Sequence, residues 1–295
     1  MNKYLTISAS AVLLFAGLFS ITGCSSSDDG GGGTLPATLP ATVPANAVEI
    51  TAANAEGIVA ASITTVNSFE SAFQTISAVE TTPVIGLNSV LDIVLPLIKD
   101  GFNNSGIDPV TGAVYSDSGD CPYGGTYSES GDEVYNPPNW SDTFTITLTN
   151  CDLYDFIVDG TLSATLTENE DTGEYSNEVS GSLTIILAYD NTGKISFTGI
   201  DYQESGNWTT YTYTITHSTY AIDFVVDGIS SGGFLAELKA SIVESSGDFD
   251  NCPESGHIFI TGANSTTAEG LYNGDGTMTI KANGTVVNAT ASCYL

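Results

Sequence analysis

Three stretches of the sequence have residue types and spacings that could do chemistry. Gly228-Ile229-Ser230-Ser231-Gly232 matches Gly-x-Ser-x-Gly, and Asp248, Asp250 and His257 follow it in hydrolase order. A serine nucleophile of that kind needs a strained strand-to-helix elbow above a parallel sheet. Here strand-like alternation flanks the motif on both sides and His257 follows too closely, so it reads as a glycine-rich hairpin loop. The second stretch runs from Trp208 to Tyr220. Alternation there would place Tyr211, Tyr213, Ile215 and His217 on one face and Thr210, Thr212, Thr214 and Thr216 on the other. An aromatic row of this kind suits sugar rings or an apolar ligand, which makes Trp208, Tyr211, Tyr213 and His217 the candidate ligand-binding residues. An inward face with tyrosine hydroxyls at its rim produces the same pattern. The third feature is a set of acidic loops, Asp117–Asp120, Glu168–Asp171, Asp248–Asp250 and Asp275. They offer oxygen ligands to calcium but lack the EF-hand spacing, and they read as solvated loop charge. His217 and His257 have no ligand spacing. No catalytic residue, metal site or cofactor is assigned on these patterns.

The cysteines are more informative. Beyond Cys24 there are four, Cys121, Cys151, Cys252 and Cys293, and no Cys-x-x-Cys pair. An even number in an exported chain implies two disulfides. Cys121-Pro122-Tyr123-Gly124-Gly125 is echoed by Cys252-Pro253-Glu254-Ser255-Gly256, and each is followed by a cysteine at a strand's end. The start of a hairpin's first strand lies beside the end of its second. Cys121–Cys151 is therefore the natural bridge, and Cys252–Cys293 follows by elimination and analogy.

Charge narrows the partners. The 295 residues hold 35 acids against five basic residues, all of them lysine, for a net charge of −30. Nucleic acid is excluded as a partner by this balance. Phosphate and carboxylate substrates are disfavoured because no guanidinium is present to clamp them.

Lys3, the apolar run Ala9–Phe19 and the small residues leading to Cys24 follow the order of a signal peptide, with too few apolar residues for a transmembrane span. Ile21-Thr22-Gly23-Cys24 resembles the lipobox of bacterial lipoproteins. The resemblance implies that Cys24 is lipidated and becomes the mature N-terminus. Ser25 after it implies the outer membrane, with the lipid as the link to the membrane. The Cys-Pro-x-Gly-Gly opening and Thr149-Asn150-Cys151 resemble a pattern in uncharacterised β-rich bacterial lipoproteins, which carries no activity with it. The order of lipobox, helices and strands is also similar to lipoprotein carriers whose half-barrel cups an acyl chain.

The elements that must position these residues follow in order. Residues 1–23 read as signal peptide and 24–46 as a flexible tether, glycine-rich and then Leu-Pro-Ala-Thr-like with proline every fourth residue. Residues 47–101 read as a helical segment. Asn46 with Glu49 forms a capping-box-like start, Val59, Ile63, Val66, Phe69, Phe73 and Ile76 make one helical face, and Thr82-Pro83 opens a second helix ending near Gly101. Residues 102–295 read as an antiparallel β domain of about ten strands. Its runs are Thr143–Leu148, Leu162–Leu166, Leu183–Leu187, Lys194–Tyr202, Thr209–His217, Tyr220–Val226, Phe234–Val243, His257–Thr261 and Met278–Val287. Turn signals separate them at Asp171-Thr172-Gly173, Asn191-Thr192-Gly193, Ser205-Gly206-Asn207 and Asn273-Gly274-Asp275-Gly276.

The fold class expected is mainly β, an antiparallel meander curled into a barrel, half-barrel or sandwich, preceded by a short helical pair. The function expected is a lipid-anchored, non-catalytic binding or envelope-structural role. The alternatives are a carrier of an apolar or lipid ligand between helices and sheet, and a hydrolase of glycans or esters. The possible partners are therefore an apolar ligand or an envelope component. The charge imbalance makes one direct prediction. Added salt should screen the domain's self-repulsion and raise its melting temperature, and a flat or falling midpoint in a salt series would count against this.

Overall fold

The computed structural model describes residues 40–63, 113–121, 123–153, 156–187, 193–226, 229–244 and 253–293. They form one α-helix, α1 (Ala55–Ile63), a single 3-10 turn at Ala263–Ser265 and twelve strands. The strands are β1 (Ala113–Asp120), β2 (Gly124–Asn136), β3 (Asn139–Asp152), β4 (Phe156–Asn169), β5 (Glu174–Leu187) and β6 (Lys194–Asn207). They continue as β7 (Thr212–Val226), β8 (Ile229–Glu244), β9 (Ser255–Thr261), β10 (Thr267–Tyr272), β11 (Thr277–Ala282) and β12 (Thr285–Ser292). Spatial order is sequence order, so this is one antiparallel meander. Among the described residues no ladder joins β12 to β1, and the sheet is not closed by hydrogen bonds.

Alternation gives the sheet two unlike faces. Phe144, Ile146 and Leu148 on β3, Leu162 and Ala164 on β4, Leu183 and Ile185 on β5, and Phe197 on β6 are buried on one face, here called inner. Their neighbours on β3 to β6 point the other way, and many are serine or threonine. Thr143–Thr165, Thr145–Ser163, Thr147–Thr161, Thr167–Ser176 and Thr184–Ser196 are hydroxyl pairs across adjacent strands at 2.7–3.2 Å. Threonine suits both demands of this face, a branched β-carbon for the strand and a hydroxyl for a cross-strand bond.

The N-terminal segment lies on the sheet. The Val48 N–H donates to Gly233 O and Val48 O accepts from Ala263 N–H, while Ile50 N–H donates to Thr266 Oγ1. Side-chain carbons of Ile50 fill the space that a β-carbon on Gly262 would take. α1 then packs on β10, β11 and β12. Val59 seats over Gly270, and the Tyr220 hydroxyl on β7 donates to Ser62 O. Ile50, Ile58 and Val59 are all at most 1 % exposed, each burial contributing about 1.5–3 kcal/mol.

Several expectations are corrected here. The helix begins at Ala55 and not at the Asn46–Glu49 box. Asn46 spends its carboxamide on Asp223 at 2.5 Å, and Val48 is drawn into strand-like pairing. Asn54 instead organises the start, accepting from Thr51 N–H and donating to Glu49 O. The tether expected to run to Asn46 is already docked at Ala41, whose atoms fill the space beside Gly199. The rest of the first helical face and the second helix lie outside the described residues. The runs Thr209–His217 and Tyr220–Val226 join in β7, while Met278–Val287 divides at Asn283-Gly284, both residues having positive φ. Ser205-Gly206-Asn207 is not a turn but the end of β6. A β-carbon at Gly206 would lie 2.7 Å from the Tyr175 hydroxyl, so the glycine makes room for that ring.

Gly181 shows how tightly the strands approach. Its φ is +144°, and a β-carbon there would stand 2.2 Å from Thr161 O on β4. Gly181→Ala should therefore cost at least about 2 kcal/mol of unfolding free energy, read from urea titrations.

Candidate functional site

Carboxyl groups on the inner face cluster toward the end of the sheet that carries the β2–β3, β4–β5 and β6–β7 turns. β2 brings Glu129 inward, β3 brings Asp142, and β1 places Tyr115 between them. The Tyr115 hydroxyl lies 3.2 Å from Glu129 Oε1 and 3.1 Å from Asp142 Oδ1. Tyr115 ends directly over Gly131, where a β-carbon would stand 2.5 Å from its hydroxyl, so that glycine makes the arrangement possible. Burial pushes Glu129 up to about 8, against the Tyr115 hydrogen bond that favours the carboxylate, with Asp142 and Asp117 adding to the rise. Burial likewise pushes Asp142 up to about 7, opposed by Tyr115 and helped by Glu133 and Asp132. One hydroxyl proton cannot fully serve two carboxylates, so this arrangement favours an added proton on the pair.

A second group lies on β5 and β6. The Tyr175 hydroxyl donates to Glu204 Oε1 at 2.6 Å, and Tyr202 donates to Glu204 Oε2. Burial raises Glu204, while both tyrosine hydrogen bonds pull it back. Tyr213 stands nearby on β7, its phenol raised by burial and further by the buried Glu244 on β8 and by Glu204. The sequence supplies no arginine for these inward carboxyls, and tyrosine takes that place. The chemistry open to such groups is proton sharing and hydrogen bonding to neutral ligands.

The candidate ligand-binding residues do not form one surface. Tyr213 points inward. Tyr211 sits in the β6–β7 turn with φ +55° and is 44 % exposed. His217 lies within the register shift between Ile215 and Thr219, pairs with Gln203 and faces outward, 3.4 Å from Asp201. That shift breaks the alternation on which the expected row rests. The buried indole N–H of Trp208 points toward Glu168 from outside hydrogen-bond geometry. Glu168 is itself raised by burial and by Glu170.

Elsewhere, the serine motif ends in β8, where Val48 seats against Gly232. No helix follows, as the mechanism would require. Asp248 and Asp250 lie outside the described residues. His257 points outward and lies 3.0 Å from Glu269, which also meets Lys281 at 3.5 Å. Cys121 and Cys151 form a disulfide between the start of β2 and the end of β3, as the hairpin argument requires. Cys293 is also disulfide-bonded; its expected partner, Cys252, lies outside the described residues, as does Cys24.

Sequence reasoning passed over Tyr115, Glu129, Asp142, Tyr175 and Glu204. The signal was present in Gly124–Asn136, where Tyr127, Glu129, Glu133 and Tyr135 alternate with serine, aspartate and valine. A search for apolar alternation does not register it. No family model, curated protein or solved structure matches the chain.

The raised carboxyls set a direction for pH dependence. Unfolded, Asp and Glu titrate near their ordinary values, 3.8 and 4.5. Between those values and about 7–8 the folded protein holds more protons than the unfolded chain. Stability should therefore fall as pH rises through this window and be largest at its acidic end. Urea titrations at about pH 5 and about pH 9 should show the loss, and Glu129→Gln with Asp142→Asn should flatten it.

Proposed function

We propose that this chain is a lipid-anchored envelope protein, held at a bacterial outer membrane through Cys24, whose folded domain has a non-catalytic binding or structural role. The observation that carries the reading is the Cys121–Cys151 bridge in a chain that opens with a lipobox-like segment. Disulfides persist in oxidising compartments outside the cytosol. The address and the covalent chemistry of the domain thus agree.

The sheet is read as a half-barrel. Tyr220 on β7 donates to Ser62 O of α1, and α1 packs on β10, β11 and β12. One short helix that reaches both β7 and β12 supports an inner face that curls around it. The protein's own chain occupies part of that curve. Val48, Ile50, Ile58 and Val59 pack over the apolar side chains of β8 to β12, and Phe197, Ile222 and Phe234 are fully buried. An apolar face already covered by protein favours a structural or surface-binding role over carriage of a lipid.

Replacing Cys24 with Ser should release a folded, soluble protein from the membrane fraction. A variant that still sediments with membranes would overturn the anchor, and intact mass should show the loss of the acyl chains in the same preparation.

A further inference from the structure

The two edges of the sheet are held in different ways. At one, β12 lies under α1, with Ala291 buried and the Asn288 carboxamide donating to Glu56 at 3.2 Å. At the other, β1 pairs with β2 along an unbroken ladder from Ala113↔Glu133 to Asp120↔Thr126. It brings little apolar surface: none of its described side chains is fully buried, and Val114 is 83 % exposed. Its inner side joins the sheet through phenol–carboxyl contacts. The Tyr115 hydroxyl reaches over Gly131 to Glu129 on β2 and Asp142 on β3, and Asp117 accepts from the Tyr127 hydroxyl of β2 at 2.9 Å. We infer that β1 is an edge strand released by rising pH, peeling from β2 as far as Cys121 while the rest of the sheet stays folded.

The charges around the junction set the direction. Glu129 faces Tyr115 and Asp117 from β1, Asp142 from β3 and Tyr127 on its own strand. Asp142 faces Tyr115 from β1, and Glu133 and Asp132 from β2. On the far side β4 presents Leu162 and Leu166, paired with Ile146 and Asp142. The described basic residues, Lys194, His217, Lys239, His257 and Lys281, all lie on β6 to β11. Among the described residues, then, no cation on β1 to β4 compensates the two acids. In the closed sheet burial raises both carboxyls, so the pair holds protons that it gives up in water. Releasing β1 lifts the Tyr115 ring off Gly131 and opens the flank of Glu129 to solvent. The open form binds fewer protons, and rising pH favours it.

The disulfide sets how far the opening runs. Cys121 follows Asp120 directly and is bonded to Cys151 at the end of β3. The β2–β3 hairpin is thus closed covalently at that end, and β2 keeps its own ladder with β3 from Thr126↔Thr149 to Asn136↔Asn139. Release makes β2 the edge of an otherwise intact sheet. Local opening of this kind draws on elements with few buried apolar contacts, and β1 is such an element.

Amide hydrogen exchange tests this on the full chain carrying Cys24→Ser. It is read on peptic fragments at about pH 6 and about pH 8.5 and corrected for the intrinsic exchange rate. Protection over residues 113–120 should fall by more than about tenfold at the higher pH. At both pH values β1 should exchange at least about a hundredfold faster than β3 to β6, with no response to about 1 M urea, because its opening exposes little surface. Glu129→Gln with Asp142→Asn should remove the pH response. Glu129→Gln alone should shrink it, which keeps the test decisive where the double variant does not fold. Tyr115→Phe keeps the ring and should lower β1 protection about fivefold at about pH 6. A β1 that exchanges only with the core and with the core's urea response would overturn the inference. So would protection that does not change with pH, or a pH response that survives in the carboxyl variants.

Discussion

A sheet with one apolar face is stable only when that face is covered, and this protein begins to cover it with the stretch that enters the domain. Residues 46–62 pass over the strands from β7 to β12, joining the sheet through Val48 and Thr266 and burying Ile50, Ile58 and Val59. Small residues on the strands receive them. Gly262 lies under Ile50, and Gly270 leaves the space that Val59 of α1 occupies. The strands are thus matched to the segment. β10 has so weak an apolar signature because another element supplies the bulk above it.

Where the inner face is not apolar it must neutralise its acids without cations. Most proteins answer a buried carboxylate with arginine, and this sequence has none. Tyrosine hydroxyls serve instead, at Tyr115 between Glu129 and Asp142 and at Tyr175 and Tyr202 around Glu204. A hydrogen bond from a neutral phenol offsets only part of the cost of burying a charge, which is why burial raises these carboxyls. The same hydrogen bonds hold the rings still. Tyr175 is fixed by Glu204 on the inner face.

The outer face shows the same economy of charge. Across β3 to β6 it is hydrated through threonine and serine, paired in rows between strands. The basic side chains Lys239, His257 and Lys281 gather with Glu237 and Glu269 on the outer face of β8 to β11. Acid elsewhere is left to solvent, consistent with a domain that relies on its surroundings to screen it.

The local readings depend on period, turn chemistry and hairpin geometry, and those were legible in the residues. Strict alternation marked most strands, Asp171-Thr172-Gly173 and Asn273-Gly274-Asp275-Gly276 marked turns, and position within a hairpin marked Cys121–Cys151. The Asn283-Gly284 turn was equally available, a dipeptide suited to positive φ, yet the apolar residues around it masked it. β2 was harder, because its inner positions are tyrosine and glutamate and an apolar period cannot reveal them. By itself, then, the sequence determined an acidic, disulfide-stapled β meander, since each of these follows from neighbours along the chain. Tertiary structure alone decided that Asn46 bonds Asp223 and caps no helix, that a bulge turns His217 away from Tyr213, and that Tyr115 bridges two acids. Each of these depends on what a strand distant in sequence places within a few ångströms, and no local pattern encodes that distance.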